Sequence, residues 1–171
     1  AIFNDAMTSV SELAIVPVTA AYDFTRFSTV ADVGGGHGRL LAAVLTAAPA
    51  ARGMLYDLPQ VVDGAPELLG RYGVADRVQV LAGSFFDNVP EGADAYLLKS
   101  IIHDWPDDDA VKILRNVRAA AAPGATLLLV ETVIPEHDRE YLGKWTDMEM
   151  LIGLAARERN EAEYRRLYEQ A

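Results

Sequence analysis

The stretch Val30-Ala31-Asp32-Val33-Gly34-Gly35-Gly36-His37-Gly38-Arg39-Leu40 decides how this chain is read, because it sets a glycine-dense turn between a short apolar strand and a helix. Glycine opens backbone conformations closed to other residues and lets the main chain approach a nucleotide-like ligand at a helix N-terminus. Gly34, Gly36 and Gly38 are spaced G-x-G-x-G, but Arg39 stands where the dinucleotide fingerprint G-x-G-x-x-G needs its last glycine. The loop has the make-up of a cofactor site, though not the usual nicotinamide one.

Outward from this loop, short β-rich runs alternate with helical patterns, the mark of an α/β fold with a mostly parallel sheet and helices on both faces. The strand candidates are Val30 to Val33, Gly53 to Tyr56, Val78 to Leu81, Ala95 to Leu98 and Thr126 to Val130. Most are continuously apolar, as strands buried on both faces should be. Helices are expected at Arg39 to Ala47, Val61 to Arg71 and Asp108 to Ala121, with Pro49, Gly73 and Pro123-Gly124 as stops. Asp107, Asp108 and Asp109 suit the positive end of a helix better than a metal. Ala1 to Phe27 reads as an amphipathic helix leading in, and Lys144 to Leu154 and Glu161 to Gln170 as two later helices.

A length of 171 residues with 51% apolar content fits one domain with a sizeable core. The net charge of −10 argues against a nucleic-acid or anionic-membrane surface. Arg157, Arg159, Arg165 and Arg166 do gather late, but Glu158, Glu161, Glu163 and Glu169 interleave with them and predict a solvated, salt-bridged helix face. The absence of cysteine excludes disulfides, thiolate metal sites and a Cys nucleophile. No apolar run approaches the roughly 18 residues of a membrane span, and the chain reads as cytoplasmic. It starts without Met and stops inside a helical pattern, so a fragment of a longer polypeptide is expected.

Ligands of open α/β sheets bind beyond the carboxyl ends of the strands, so the residues just after each strand are the candidates. Asp57 follows the second strand at the distance of a ribose-binding acid; a plain turn aspartate is the other reading. Gly83-Ser84-Phe85-Phe86 follows the third, with a hydroxyl for an adenine edge and rings that either cover its face or fill the core. Lys99 ends the fourth strand, where an amine needs a ligand oxygen or a carboxylate nearby. His103 follows at the same rim, and Glu131 ends the fifth strand, where a carboxylate can fix an imidazole tautomer and raise its basicity.

Asp32-Val33-Gly34-Gly35-Gly36-His37-Gly38, Tyr56-Asp57-Leu58-Pro59, Gly83-Ser84-Phe85-Phe86, Leu98-Lys99-Ser100-Ile101-Ile102-His103-Asp104-Trp105 and Glu158-Arg159-Asn160-Glu161 stand in one order along the chain. In that order and spacing the sequence resembles the caffeic-acid-type O-methyltransferase family of plants and bacteria. The resemblance implies a Rossmann-like sheet that binds S-adenosylmethionine and releases S-adenosylhomocysteine. Gly34, Gly36, Asp57, Leu58, Ser84, Phe85 and Lys99 would border the cofactor. His103 would be the general base that helps a phenolic hydroxyl of a small aromatic natural product take the methyl group, with Glu131 and Glu158 beside it and no metal required. Met7, Met148 and Met150 match positions that flank the acceptor. Ser84 departs from the family, which commonly has Asp there.

The same resemblance divides the chain into a helical lead-in, residues 1–27, and a cofactor-binding catalytic domain, residues 28–171, lacking its final strand pair. It also implies a homodimer formed through a further N-terminal domain. Two other readings stay open: a family member that binds the cofactor without methyl transfer, as a scaffold or hydroxylase-like protein, and a nicotinamide oxidoreductase, against which Arg39 counts.

Overall fold

The computed structural model describes residues 15–137, 140–154 and 156–171. Among them, five strands form one all-parallel sheet in the order β3-β2-β1-β4-β5. These are β1 Thr29–Val33, β2 Arg52–Asp57, β3 Val78–Ala82, β4 Ala95–Lys99 and β5 Thr126–Val130. The chain steps outward from β1 through β2 to β3, then returns to place β4 on the other side of β1. That reversal opens a crevice at the carboxyl ends of β1 and β4, between the glycine loop and the segment after Lys99.

The central strands are apolar because helices cover them twice. Val30, Leu55 and Leu97 face one core with Leu41, Val44 and Leu45 of α2 (Arg39–Ala47) and Leu68 and Leu69 of α4 (Ala65–Arg71). Their neighbours Ala31, Tyr56, Tyr96 and Leu98 face the opposite core, with Ile113, Leu114 and Val117 of α5 (Asp107–Ala120) and Tyr164 and Leu167 of α7 (Glu161–Gln170). Alternate residues of a strand point to opposite sides, so each strand serves both cores. The two outermost strands differ from expectation: β5 is half-buried along its whole length and β3 nearly so, because each pairs on one side only.

Boundaries moved where ladder pairing or proline decides them. Asp57 and Lys99 extend their strands by pairing with Ala82 and Val130, which sets both side chains on the ligand-facing rim. The helix expected from Val61 to Arg71 is two: α3 (Pro59–Val62) and α4, which restarts with Pro66 in its first turn. Proline lacks the N–H that a helix interior needs but fits a helix start. The lead-in is helical over 15–21 (α1) and then yields to a 3-10 turn, Phe24–Arg26, capped by Asp23, so no helix reaches Phe27. Met7 lies outside the described residues. Helix α6 (Gly143–Leu154) carries Leu142, Trp145, Leu151 and Ile152 exposed along or beside it. No described helix is long and apolar enough to cross a membrane.

Candidate active site

The glycine loop is built from backbone. Gly34, Gly36 and Gly38 all take positive φ, 72°, 61° and 83°, which side chains strongly disfavour. Gly34 N–H donates to the Tyr56 carbonyl at 2.8 Å and ties the loop to the end of β2. Gly36 N–H donates to Asp57 Oδ2 at 2.8 Å, and Leu58 N–H donates to Asp57 Oδ1 at 2.7 Å. The acid expected to bind ribose therefore braces the loop, each of its oxygens accepting one N–H. A Cβ on Gly36 would meet no atom within 4 Å, so the loop has open space above it. Leu58 is exposed.

Beside the loop, Phe85, Phe86 and Trp105 form an aromatic cluster with centroids 4.6 to 6.2 Å apart. The rings divide the work the sequence left ambiguous. Phe85 stands against Gly34, 3.5 Å from where its Cβ would be, whereas Phe86 packs on Trp105 and under the Lys112 ammonium. Ser84 Oγ accepts the Phe86 N–H at 3.2 Å and so closes the turn that presents both rings.

Lys99 finds the carboxylates its position demanded. Burial holds its pKa below the usual ammonium value against the opposing charges of Asp32 and Glu131, and its Nζ donates to Ser100 Oγ at 3.3 Å. Asp32 itself is buried on β1 with Oδ2 lacking a partner; burial pushes its carboxyl up to about 7 against the attraction of Lys99. Asp32 has no role assigned from the sequence, although an acid inside an apolar strand is a legible signal.

After Lys99 the chain turns sharply. Ser100 holds φ of 54°, the only described non-glycine residue at positive φ. Strain of this kind costs roughly 1–3 kcal/mol and is retained where surroundings enforce it. Here Glu131 enforces it: its Oε1 accepts the N–H of Ile101 at 3.0 Å and of Ile102 at 2.8 Å. Glu131 therefore grips the backbone ahead of His103 instead of fixing the ring's tautomer by a hydrogen bond, while its charge raises the imidazole pKa as expected.

The ring belongs to Glu158. His103 Nδ1 lies 3.1 Å from Glu158 Oε1, and Glu158 is 4% exposed. A carboxylate can only accept, so Nδ1 carries the proton and Nε2 is left as the basic nitrogen. Burial lowers the imidazole pKa, but the Glu158 hydrogen bond and the charges of Glu131, Asp104 and Glu158 outweigh it and leave it raised. Asp104 Oδ1 is 3.4 Å from Nε2. His103, Glu131 and Glu158 bring one potential ligand atom each within 4.8 Å of one another. That donor set could also take a cation: both Oε1 atoms are engaged by N–H groups, but Oε2 of Glu131 and of Glu158 is buried without a partner.

The charge run at 157–159 corrects the sequence reading. Arg165 and Arg166 are exposed as expected, but Arg159 is fully buried and Glu158 nearly so. Arg159 reaches the carbonyls of Ile102 and Trp105 and the carboxylate of Asp107, and Arg157 meets Asp107 and Glu163. Ile102, Trp105 and Asp107 lie 50 or more positions away, beyond any local charge pattern; Glu163 is the one local partner, six positions on. Asp107 is thus an ion-pair partner as well as a helix-start acid. Met150 is half-buried and Met148 exposed on α6, the helix whose Asp147 accepts the Glu158 N–H at 2.8 Å.

Residues 1–171 match the profile of the O-methyltransferase domain. The chain belongs to this O-methyltransferase family. The domain is 42% identical over 98% of its length to a phenazine O-methyltransferase, PhzM, of Lysobacter antibioticus, covering 49% of that protein. It is 44% identical over 99% of its length to a mitomycin biosynthesis 6-O-methyltransferase of Streptomyces lavendulae, covering 48% of it. Among solved structures, the neocarzinostatin O-methyltransferase NcsB1, in complex with S-adenosylmethionine and 2-hydroxy-5-methyl naphthoic acid, superimposes with a TM-score of 0.90 at 38% identity, over 98% of this chain and 50% of that one. The O-methyltransferase domain thus spans about half the length of the relatives it matches.

Proposed function

We propose that this chain is the cofactor-binding and catalytic part of an S-adenosylmethionine-dependent O-methyltransferase acting on a phenolic hydroxyl of a small aromatic natural product. The observation that carries the reading is the His103–Glu158 pair, which leaves Nε2 as a basic nitrogen at the strand-end crevice beside the glycine loop. The loop and its surroundings fit the cofactor: open space over Gly36, an acid at Asp57 with free acceptor capacity, and the Phe85 ring against Gly34. Gly34, Gly36, Asp57, Leu58, Ser84, Phe85 and Lys99 would hold it.

When bound, S-adenosylmethionine supplies a methyl group on a sulfonium, open to in-line displacement by oxygen with S-adenosylhomocysteine as product. The protein's part is the proton and the alignment. A phenol with a pKa near 10 is mostly protonated at neutral pH, so His103 Nε2 accepts its proton as the oxygen attacks. Glu158 steadies the imidazolium through Nδ1, and Glu131 fixes the turn that sets the ring's height. Holding acceptor and donor in line removes much of the remaining entropic barrier. Met148 and Met150 are proposed at the acceptor side, where thioethers adapt to aromatic rings. The cytoplasm as compartment and a homodimer as assembly are proposals carried by the family resemblance.

The test is calorimetric titration of the whole polypeptide carrying this sequence, with S-adenosylmethionine and with NADH, followed by methyl-transfer assays on a panel of phenols. Binding of S-adenosylmethionine alone and transfer to at least one phenol are expected. NADH binding would favour an oxidoreductase. Cofactor binding with no transfer to any acceptor would favour the non-transferring family member.

A further inference from the structure

Arg159 is the largest fully buried side chain among the described residues. A buried guanidinium is tolerated only when its donors are met, and its planar fork then fixes the partners rigidly. Here Nη1 donates to the Ile102 carbonyl at 2.9 Å and Nη2 to the Trp105 carbonyl at 2.7 Å, one on each side of His103. Nε and Nη2 both reach Asp107 Oδ1, at 3.0 and 2.7 Å. Asp107 opens α5, so the fork ties the His103 turn to the start of that helix.

Its neighbours act on the same turn. Arg157 N–H donates to the His103 carbonyl at 3.2 Å, and Glu158 Oε1 meets the ring. The Arg159 carbonyl accepts the Ile134 N–H at 2.9 Å, and Asn160 caps α7 in a reciprocal box with Glu163. Three successive residues therefore hold the backbone of His103, its ring and its flanking carbonyls, from a segment anchored at both ends.

We propose that Arg159 and Asp107 form a positioning pair for the methyl-transfer reaction, holding the turn at the height where the His103 ring meets Glu158. The kinetic side of this inference rests on the function proposed above; the placement of the ring does not. A merely structural Arg159 would change stability alone. A positioning pair also changes how His103 titrates, because the ring is faced by Glu158 from the 157–160 segment, Glu131 from the end of β5 and Asp104 from its own turn, with Asp147 of α6 braced on the Glu158 N–H.

The experiment compares Asp107→Ala, Asp107→Asn and Arg159→Lys in the whole polypeptide carrying this sequence. The chain holds three histidines, so the His103 imidazole can be followed by NMR titration and assigned with His103→Gln. Asp107 is half-exposed, so Asp107→Ala is the deciding variant, and Arg159→Lys keeps the charge but loses the fork. Expected for both are a His103 titration moved to lower pH, kcat down about 10- to 100-fold as for a misplaced catalytic group, and affinity for S-adenosylhomocysteine within about twofold of the original. Asp107→Asn, which keeps an acceptor at Oδ1, should recover most of the loss. An unchanged His103 titration in folded Asp107→Ala would overturn the pair even if no phenol were ever methylated. A fall in cofactor affinity matching the fall in kcat would overturn it as well.

Discussion

The glycine loop and the His103 turn share one rim of the sheet, yet they are held by opposite means. The loop is a frame of main-chain N–H groups and positive φ angles, braced by one carboxylate from the neighbouring strand. The turn is strained at Ser100 and held by charged side chains, two of them, Glu158 and Arg159, buried. A backbone frame leaves room and donors for a ligand to complete. A buried charged network stores its polarity in advance, where low dielectric makes each interaction strong and each loss costly. Changes in the first half should therefore appear as affinity, and changes in the second as rate.

The sharpest break between the halves is His103→Gln. Removing a general base typically costs about 10²–10⁴ in rate. Single-turnover methyl transfer should fall by that order while calorimetric affinity for S-adenosylmethionine stays within about twofold. Equal losses in both would mean that the halves are not separable. On the other side, Gly35→Ala places a Cβ 2.6 Å from Asp32 Oδ2 and from Leu55 Cδ1, both buried. Overpacking of this kind costs about 1–3 kcal/mol. Cofactor affinity should weaken about tenfold or more and Tm should fall, with kcat at saturation little changed. Gly36→Ala meets no atom within 4 Å but must hold φ of 61°, so it should lower Tm through backbone strain of about 1–2 kcal/mol instead of through overpacking.

pH separates the halves further. His103 titrates above its ordinary value because Glu158, Glu131 and Asp104 outweigh the effect of burial. Only the neutral ring accepts a proton, so kcat should rise about tenfold per pH unit on the acid side and level off above the raised pKa. Stability runs the other way. A raised histidine pKa contributes stability that is fully present below the unfolded value and lost as pH rises through the folded one. Glu158→Gln should move the activity limb toward acid and flatten that part of the stability profile, whereas cofactor affinity should change little across the window. Parallel movement of affinity and rate with pH would break the distinction.

The same contrast explains what could be read in advance. Gly36 and Asp57 are 21 positions apart, one in the loop after β1 and one at the end of β2, where apolar runs and glycine spacing mark them locally. The parallel sheet and the rim position of Lys99, His103 and Glu131 likewise follow from alternation and the strand-end rule. Glu131 lies 29 and 30 positions from the N–H groups it holds and the other side-chain partners of the His103 turn 54 to 57, and the 157–160 segment has no period that distinguishes a buried Arg159 from an exposed Arg165. Only the family resemblance marked Glu158, and nothing local marked Arg159. Glu131 was legible by position but not by role, because backbone N–H acceptance depends on the fold of the Ser100 turn.

The smallest expected effect tests the comparison at its finest grain, in the third-strand loop. Ser84 Oγ closes the turn that holds Phe85 against Gly34 by accepting the Phe86 N–H at 3.2 Å. A lost cap of this sort costs about 1 kcal/mol, which is roughly fivefold in an equilibrium. Ser84→Ala should thus weaken S-adenosylmethionine binding about fivefold by loosening Phe85, and leave kcat at saturation unchanged. Ser84→Asp restores an acceptor for Phe86 N–H and adds the carboxylate that the family resemblance implies at this position, so it should bind at least as tightly as the original. If Ser84→Ala instead lowered kcat at saturation, the aromatic cluster would be transmitting strain through Trp105 to the His103 turn, and the two halves would be one unit.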